Sequence, residues 1–208
     1  MNIIFDFDGV ILNSHKIKTL AFYEIFKIYG KTVATKAKNY HLNNIGKSRY
    51  YKFKYILKNI LNIKIDIASL SSLDKKFDKY VNNKIKKMSP SNYLLKFLKN
   101  KKKSTNLFIS TGTPQEKMIK ILKEKKLLKY FKKVYGSPKS KIYHIMDIKK
   151  KYDNLVFIGD SYEDFNAAKK TNINFILKLN SENFFLRKRF DIPKINSFKY
   201  LNKKFINI

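Results

Sequence analysis

Apolar and polar positions fall into two regimes along this chain. Short apolar runs that stop at Gly, Ser or Asp read as buried strands: Ile3 to Phe7 before Gly9, Asn106 to Ile109 before Ser110-Thr111-Gly112-Thr113-Pro114, Val134-Tyr135 before Gly136-Ser137-Pro138, Leu155 to Asp160, and Ile173 to Leu177. Longer stretches with apolar residues near a 3.6 period read as helices. The first is His15 to Tyr29, where Ile17, Leu20, Ala21, Ile25 and Phe26 share a face and Gly30 lies beyond the end. Others are predicted over Ala34–Leu42, Arg49–Leu61, Asp74–Met88, Ser91–Leu98, Gln115–Lys126, Lys141–Ile148 and Tyr162–Lys170.

The two regimes are not mixed evenly. Residues 14–88 contain almost nothing that resembles a strand and read as a helical insert. Residues 1–13 and 89–208 alternate strand and helix. Alternation of this kind implies an α/β fold with a parallel sheet and right-handed crossovers, Rossmann-like in plan. In such sheets the working loops lie beyond the carboxyl ends of the strands, where Asp6, Ser110 and Asp160 fall. Near the end, Ile195, Phe198, Leu201 and Phe205 fit one helical face and predict a closing helix. The mixed run Phe184 to Phe190 reads as half-buried surface.

Composition changes this picture little. With 44% apolar and 15% aromatic residues the chain folds, and with no cysteine it forms neither disulfides nor thiolate metal sites. No apolar run approaches the roughly 18 residues of a membrane span. The N-terminus enters a strand directly, so the expected location is the cytoplasm. The net charge of +31 raises the question of nucleic acid. The charge is nearly all Lys, with Arg only at positions 49, 187 and 189, and it is spread along the whole chain. Arg is the residue suited to bidentate phosphate and base recognition, so nucleic acid is not the expected partner. A field of this sign still concentrates small anions.

Two carboxylates interrupt the end of the first strand. Residues i and i+2 of a strand share a face, so Asp6 and Asp8 leave the backbone on one side, about 6–7 Å apart at Cα. Like charges at the rim of an apolar sheet favour protonation unless a cation compensates them, and an oxygen-seeking divalent ion such as Mg²⁺ fits. Other strand ends add Ser110 or Thr111, and Asp160 with Asp164. Carboxylates gathered from distant segments, with a hydroxyl and a lysine, are what a site needs to hold Mg²⁺ and a phosphate together.

Four segments together resemble the haloacid dehalogenase superfamily, in its phosphoglycolate phosphatase and β-phosphoglucomutase-like branch with a small helical cap. They are Asp6-Phe7-Asp8-Gly9-Val10, Phe108-Ile109-Ser110-Thr111-Gly112, Gly136-Ser137-Pro138-Lys139-Ser140-Lys141 and Gly159-Asp160-Ser161-Tyr162-Glu163-Asp164. The resemblance spans roughly residues 1–180. It implies a core of residues 1–13 and 89–208, a cap of 14–88, and a Mg²⁺-dependent phosphatase acting on a small phosphorylated metabolite. Asp6 would be the nucleophile that forms an aspartyl-phosphate, and Asp8 the general acid and base. Mg²⁺ would be held by Asp6, the carbonyl of Asp8, Asp160 and, directly or through water, Asp164. Ser110, with Thr111 and Gly112 beside it, and a loop lysine would bind the phosphoryl oxygens.

Ser110 ends the apolar run and is preferred to Thr111. Lys141 is preferred to Lys139, although the loop lacks the family's common Lys-Pro pairing. In the cap, His41, Ser48, Arg49 and Lys52 flank the turn Asn43-Asn44-Ile45-Gly46 and form a cationic set suited to a sugar hydroxyl or carboxylate. His15 and His144 read as surface or packing residues. A β-phosphoglucomutase-like transfer shares every core residue, and a basic nucleic-acid-binding protein on the same scaffold is a third alternative. The sequence does not distinguish a monomer from a homodimer.

Overall fold

A computed structural model describes residues 1–189 and 191–201. Chain contacts divide it into two units, one built from Met1–Asn13 and the chain from Ser89 onward, the other from Ser14–Met88.

The first unit is an α/β layer structure. Its sheet comprises β1 (Asn2–Phe5), β2 (Asn106–Pro114), β3 (Lys133–Ser137), β4 (Leu155–Gly159), β5 (Asn174–Lys178) and β6 (Lys194–Ile195). The order is β3-β2-β1-β4-β5-β6, and every neighbouring pair is parallel. β1 therefore sits inside the sheet and is buried along its whole length, which explains why it reads as a continuous apolar run. Helices of this unit are α5 (Asn92–Asn100), α6 (Gln115–Glu124), α7 (Lys141–Lys149) and α8 (Tyr162–Lys170), by position in the whole chain. One sheet face presents Ile4, Phe108, Phe157 and Phe175 to Ile145 and Ile148 of α7 and to Ala167 and Ala168 of α8. On the other, Phe5 packs against Phe97 of α5, Phe131 and Phe198, with ring centroids 6.1–6.2 Å apart. Alternate residues of one strand thus serve two cores.

The second unit is helical: α1 (His15–Phe26), α2 (Lys31–Asn43), α3 (Arg49–Tyr55), which runs on into a π turn at Ile56–Ile60, and α4 (Ile67–Lys86). Phe22, Phe53 and Phe77 pack on one another edge-on or tilted, with centroids 5.4–6.0 Å apart.

Four expectations are corrected. The last helix of this unit begins at Ile67 and not at Asp74, because Asp66 caps it by accepting from the Ser69 N–H at 2.6 Å. β2 runs past Ser110 to Pro114, with a register shift between those two residues. The closing helix does not form over Ile195 and Phe198. Ile195 instead pairs as β6 beside β5, and Phe198–Tyr200 makes one 3₁₀ turn. Sheet hydrogen bonding outweighs a helical spacing of only a few residues there. Phe205, the last of that face, and Phe190 lie outside the described residues. Around buried Leu186, Phe184 and Phe185 are exposed and not half-buried.

Candidate active site

Strand register assembles the site. Phe5 of β1 is level with Ile109 of β2 and Ile158 of β4, so the next residue along, Asp6, comes level with Ser110 and Gly159, and Asp160 follows directly. Asp6 extends the ladder by donating its N–H to the Ile158 carbonyl at 2.9 Å. Beyond it the chain turns back on itself, with the N–H groups of Ile11 and Leu12 both reaching the Phe7 carbonyl. Gly9 takes φ of +77°, which favours glycine in that turn.

Asp6, Asp160 and Asp164 converge, each offering a carboxylate oxygen within 4.8 Å of the others, and all three are buried. Lys141, also buried, reaches into the same group, with Nζ 3.1 Å from Asp6 Oδ1 and 2.5 Å from Asp164 Oδ1. Burial pushes the Asp6 carboxyl above its ordinary range. Lys141 pulls it down, and Asp164, Asp160 and Asp8 push it up again. Burial by itself would lower the Lys141 ammonium, but Asp164 and Asp6 together raise it.

Asp164 is placed by its helix. Ser161 caps α8 and forms a reciprocal capping box with Asp164, whose Oδ2 accepts from the Asp160 N–H, the Ser161 N–H and the Ser161 hydroxyl at 2.6–3.2 Å. Gly159 permits this approach, since a Cβ there would stand 2.4 Å from the Asp164 Cβ. With one oxygen on Lys141 and the other on the cap, Asp164 orients its neighbours. Asp160 is held from the loop after β5. Asn180 donates to its Oδ2 at 2.7 Å and Asn183 to its carbonyl at 2.6 Å.

Asp8 stands apart from the acidic cluster, partly exposed, with Oδ2 3.5 Å from the Thr113 hydroxyl. Thr111 is buried and accepts from the Thr113 N–H, within the same β2 segment that carries Gly112. Ser110 is buried, and its Oγ lies 2.9 Å from His144 Nδ1. His144 Nε2 is 3.2 Å from the Gly136 carbonyl, which can only accept, so that nitrogen carries the proton, and Nδ1 of the neutral ring accepts a hydrogen bond from the Ser110 hydroxyl. Burial and the charge of Lys141 lower His144 to about 4 and keep the ring neutral. Of the two expectations for His144, surface or packing, the first is corrected: the ring is buried against Tyr135 and bonded at both nitrogens. Lys139 is exposed and turns to the Tyr143 hydroxyl at 2.6 Å, away from the carboxylates that Lys141 meets.

In the helical unit the four proposed contacts divide. Ser48 caps α3 by accepting from the Tyr51 N–H. Arg49 is buried, pairs with Asp74 at 3.1 Å and with Asp78, and lies over the Phe77 ring. Both side chains thus help to hold their own unit together. His41 and Lys52 meet each other, Nδ1 to Nζ, at 3.1 Å.

The family model described as haloacid dehalogenase-like hydrolase matches residues 3–178, which includes the strand ends that carry Asp6, Ser110 and Asp160. The chain belongs to this family. Structures similar to this hydrolase include a β-phosphoglucomutase from Clostridium difficile, 19% identical, covering 99% of this chain and 95% of that one at a TM-score of 0.74. A phosphoglycolate phosphatase, so predicted, from Haemophilus somnus is 16% identical over 96% and 95% at 0.70. The hydrolase YfnB from Bacillus subtilis, solved bound to magnesium, is 15% identical over 96% of each chain at 0.68. At these identities they show the shared fold. No curated protein matches the sequence.

Three buried carboxylates from two strand ends and a helix cap, all oxygen donors, are a donor set suited to a divalent cation such as Mg²⁺. Sequence reading missed Thr113, His144, Asn180 and Asn183. Only the two asparagines carried a signal, in that they lie in a polar loop just beyond the carboxyl end of β5. Among the described residues no helix is long and apolar enough to cross a membrane.

Proposed function

We propose that this hydrolase is a Mg²⁺-dependent phosphomonoesterase that acts on a small phosphorylated metabolite through an aspartyl-phosphate at Asp6. The observation that carries the reading is the convergence of Asp6 with Asp160, Asp164 and Lys141 at the carboxyl edge of the sheet. Among the structural neighbours, YfnB is bound to magnesium, which supports the choice of ion.

Asp6 attacks phosphorus through a carboxylate oxygen, and the ester oxygen leaves. Asp8, two residues beyond Asp6 and outside the acidic cluster, gives that oxygen its proton. It then takes a proton from the water that cleaves the aspartyl-phosphate, so both half-reactions use one group. Lys141 neutralises charge on the transferring phosphoryl oxygens, and Ser110, Thr111 and Gly112 line the β2 side of the same site. Asp6, Asp160, the Asp8 carbonyl and Asp164 would hold Mg²⁺, which when bound polarises the phosphoryl group and offsets the acidic charge. Asp164 acts chiefly by fixing Lys141 and the backbone of Asp160 and Ser161.

The test is release of phosphate from a panel of sugar phosphates, phosphoglycolate and nucleotides. The expected result is turnover that needs Mg²⁺, stops with chelator, and is abolished by Asp6→Asn in a folded protein. Full turnover by Asp6→Asn would refute the reading. Transfer of phosphate to a second hydroxyl of the same sugar, in place of water, would identify a mutase instead.

A further inference from the structure

The last two strands of the sheet end in a cavity that the proposed reaction does not use. It measures about 390 Å³ and lies wholly within the first unit. Leu179 and Ile195 supply its aliphatic lining, and Phe184 and Tyr200 its rings. The walls are tied together by the backbone. The Leu179 N–H donates to the Ile195 carbonyl at 2.8 Å, and Lys178 Nζ bridges the carbonyls of Leu179 and Asn196 at 2.8 and 3.0 Å. Buried Leu186 seats the 3₁₀ turn Phe184–Lys188, and Asn183 before it donates to the carbonyls of Asp160 and Lys178. Ser197 caps the turn that carries Tyr200. A cavity braced in this way needs little further ordering when it binds.

The lining has one sign of charge. Arg187 and Lys194 face the cavity with Asn196, and no acidic residue does. Among the described residues neither cation is held by a carboxylate, and Arg187 lies over the Phe184 ring, 5.6 Å from its centroid. Its planar fork of donors suits a carboxylate, sulfonate or phosphate. Phe184 and Tyr200 are 58% and 51% exposed, so both rings offer free surface. A plain hydrocarbon would leave the two cations without a counter-charge, and a bare anion would leave the rings in water. One molecule with both features satisfies the whole lining. We propose that this cavity binds a small aromatic anion, a flat ring system carrying a carboxylate, sulfonate or phosphate group. Ligand pockets span roughly 300–1,000 Å³, so this one, near the lower bound, takes one or two rings.

The full chain is titrated with naphthalenesulfonate while its backbone and side-chain amide signals are followed by NMR. Naphthylmethanol supplies the ring without the charge, and methanesulfonate the charge without the ring. The expected result is a saturable shift centred on Leu179 and Asn196 with naphthalenesulfonate, and binding about tenfold weaker or worse with either half. Signals of the lining residues that stay in place, or that respond equally to naphthylmethanol, overturn the proposal.

Variants then locate the site. Arg187→Met removes the charge and leaves an unbranched chain beside Phe184, and Tyr200→Leu removes a ring. Both positions are exposed, so the fold should survive. Each is expected to weaken naphthalenesulfonate about tenfold, read at the Asn196 side-chain amide. Unchanged affinity in both overturns the proposal. Lys188→Met, exposed on the same turn but not lining the cavity, should bind as the parent does, and an equal loss there would show a general effect of charge and overturn it too. None of these residues enters the proposed reaction, so the result stands or falls apart from the phosphomonoesterase reading.

Discussion

Lys141 Nζ stands 3.1 Å from Asp6 Oδ1, with both side chains buried. Salt screens such a pair little, and removing one partner leaves a buried charge uncompensated. Lys141→Met leaves Asp6 and Asp164 without that ammonium. Phosphatase kcat/KM is expected to fall by about 10²–10³-fold, measured on the best substrate of the panel, with circular dichroism confirming the fold. Lys139→Met, at an exposed position, serves as the control and should stay within about twofold.

Gly159→Ala should act through Asp164. The new methyl would stand 2.4 Å from the Asp164 Cβ and 2.6 Å from its Cγ, far inside contact distance. Either the strand end or the capping box must shift. A stability loss of about 1–3 kcal/mol is expected in a denaturant titration, together with loss of activity, since Asp164 fixes Lys141.

His144 should leave a signature in stability against pH. Its folded pKa is lowered from 6.5 to about 4 by burial and then by Lys141. Between those values the unfolded chain binds more protons, so stability rises with pH there. The contribution is complete above pH 6.5, is lost as pH falls towards 4, and is flat below. The loss amounts to at most about 3 kcal/mol, and this limb should disappear in His144→Gln, measured by urea midpoints across the range.

Arg49 should prove structural. A double-mutant cycle of Arg49→Met and Asp74→Asn is expected to give a coupling energy of about 1–3 kcal/mol in stability. The pair is 3.1 Å long and largely buried, and Asp78 and the Phe77 ring also hold the guanidinium. Effects of Arg49→Met on turnover should follow the loss of folded protein, with KM unchanged.

The sheet and the helical unit are legible in sequence because each depends on local pattern. β1 and β4 are inner strands buried on both faces, so they appear as unbroken apolar runs, and α8 spans the predicted residues because Ser161 and Asp164 cap it within one turn. The tail failed for the opposite reason. Two residues of β6 are decided by an open edge on β5, and nothing local announces that edge.

What the sequence determined by itself is the set of strand ends, and with it the meeting of Asp6, Ser110 and Asp160. Parallel strands in register bring equivalent ends together whatever else the chain does. Only the tertiary structure decided how each side chain is used. It separated Lys141 from Lys139, because Ser140 caps α7 and Lys141 opens that helix buried against Asp6 and Asp164, while Lys139 stays outside. It joined Ser110 to His144 across 34 residues, bound Asp160 to Asn180 and Asn183, and committed Arg49 to Asp74 and Asp78. Such pairings depend on distances between helices and strands that no spacing along the chain encodes.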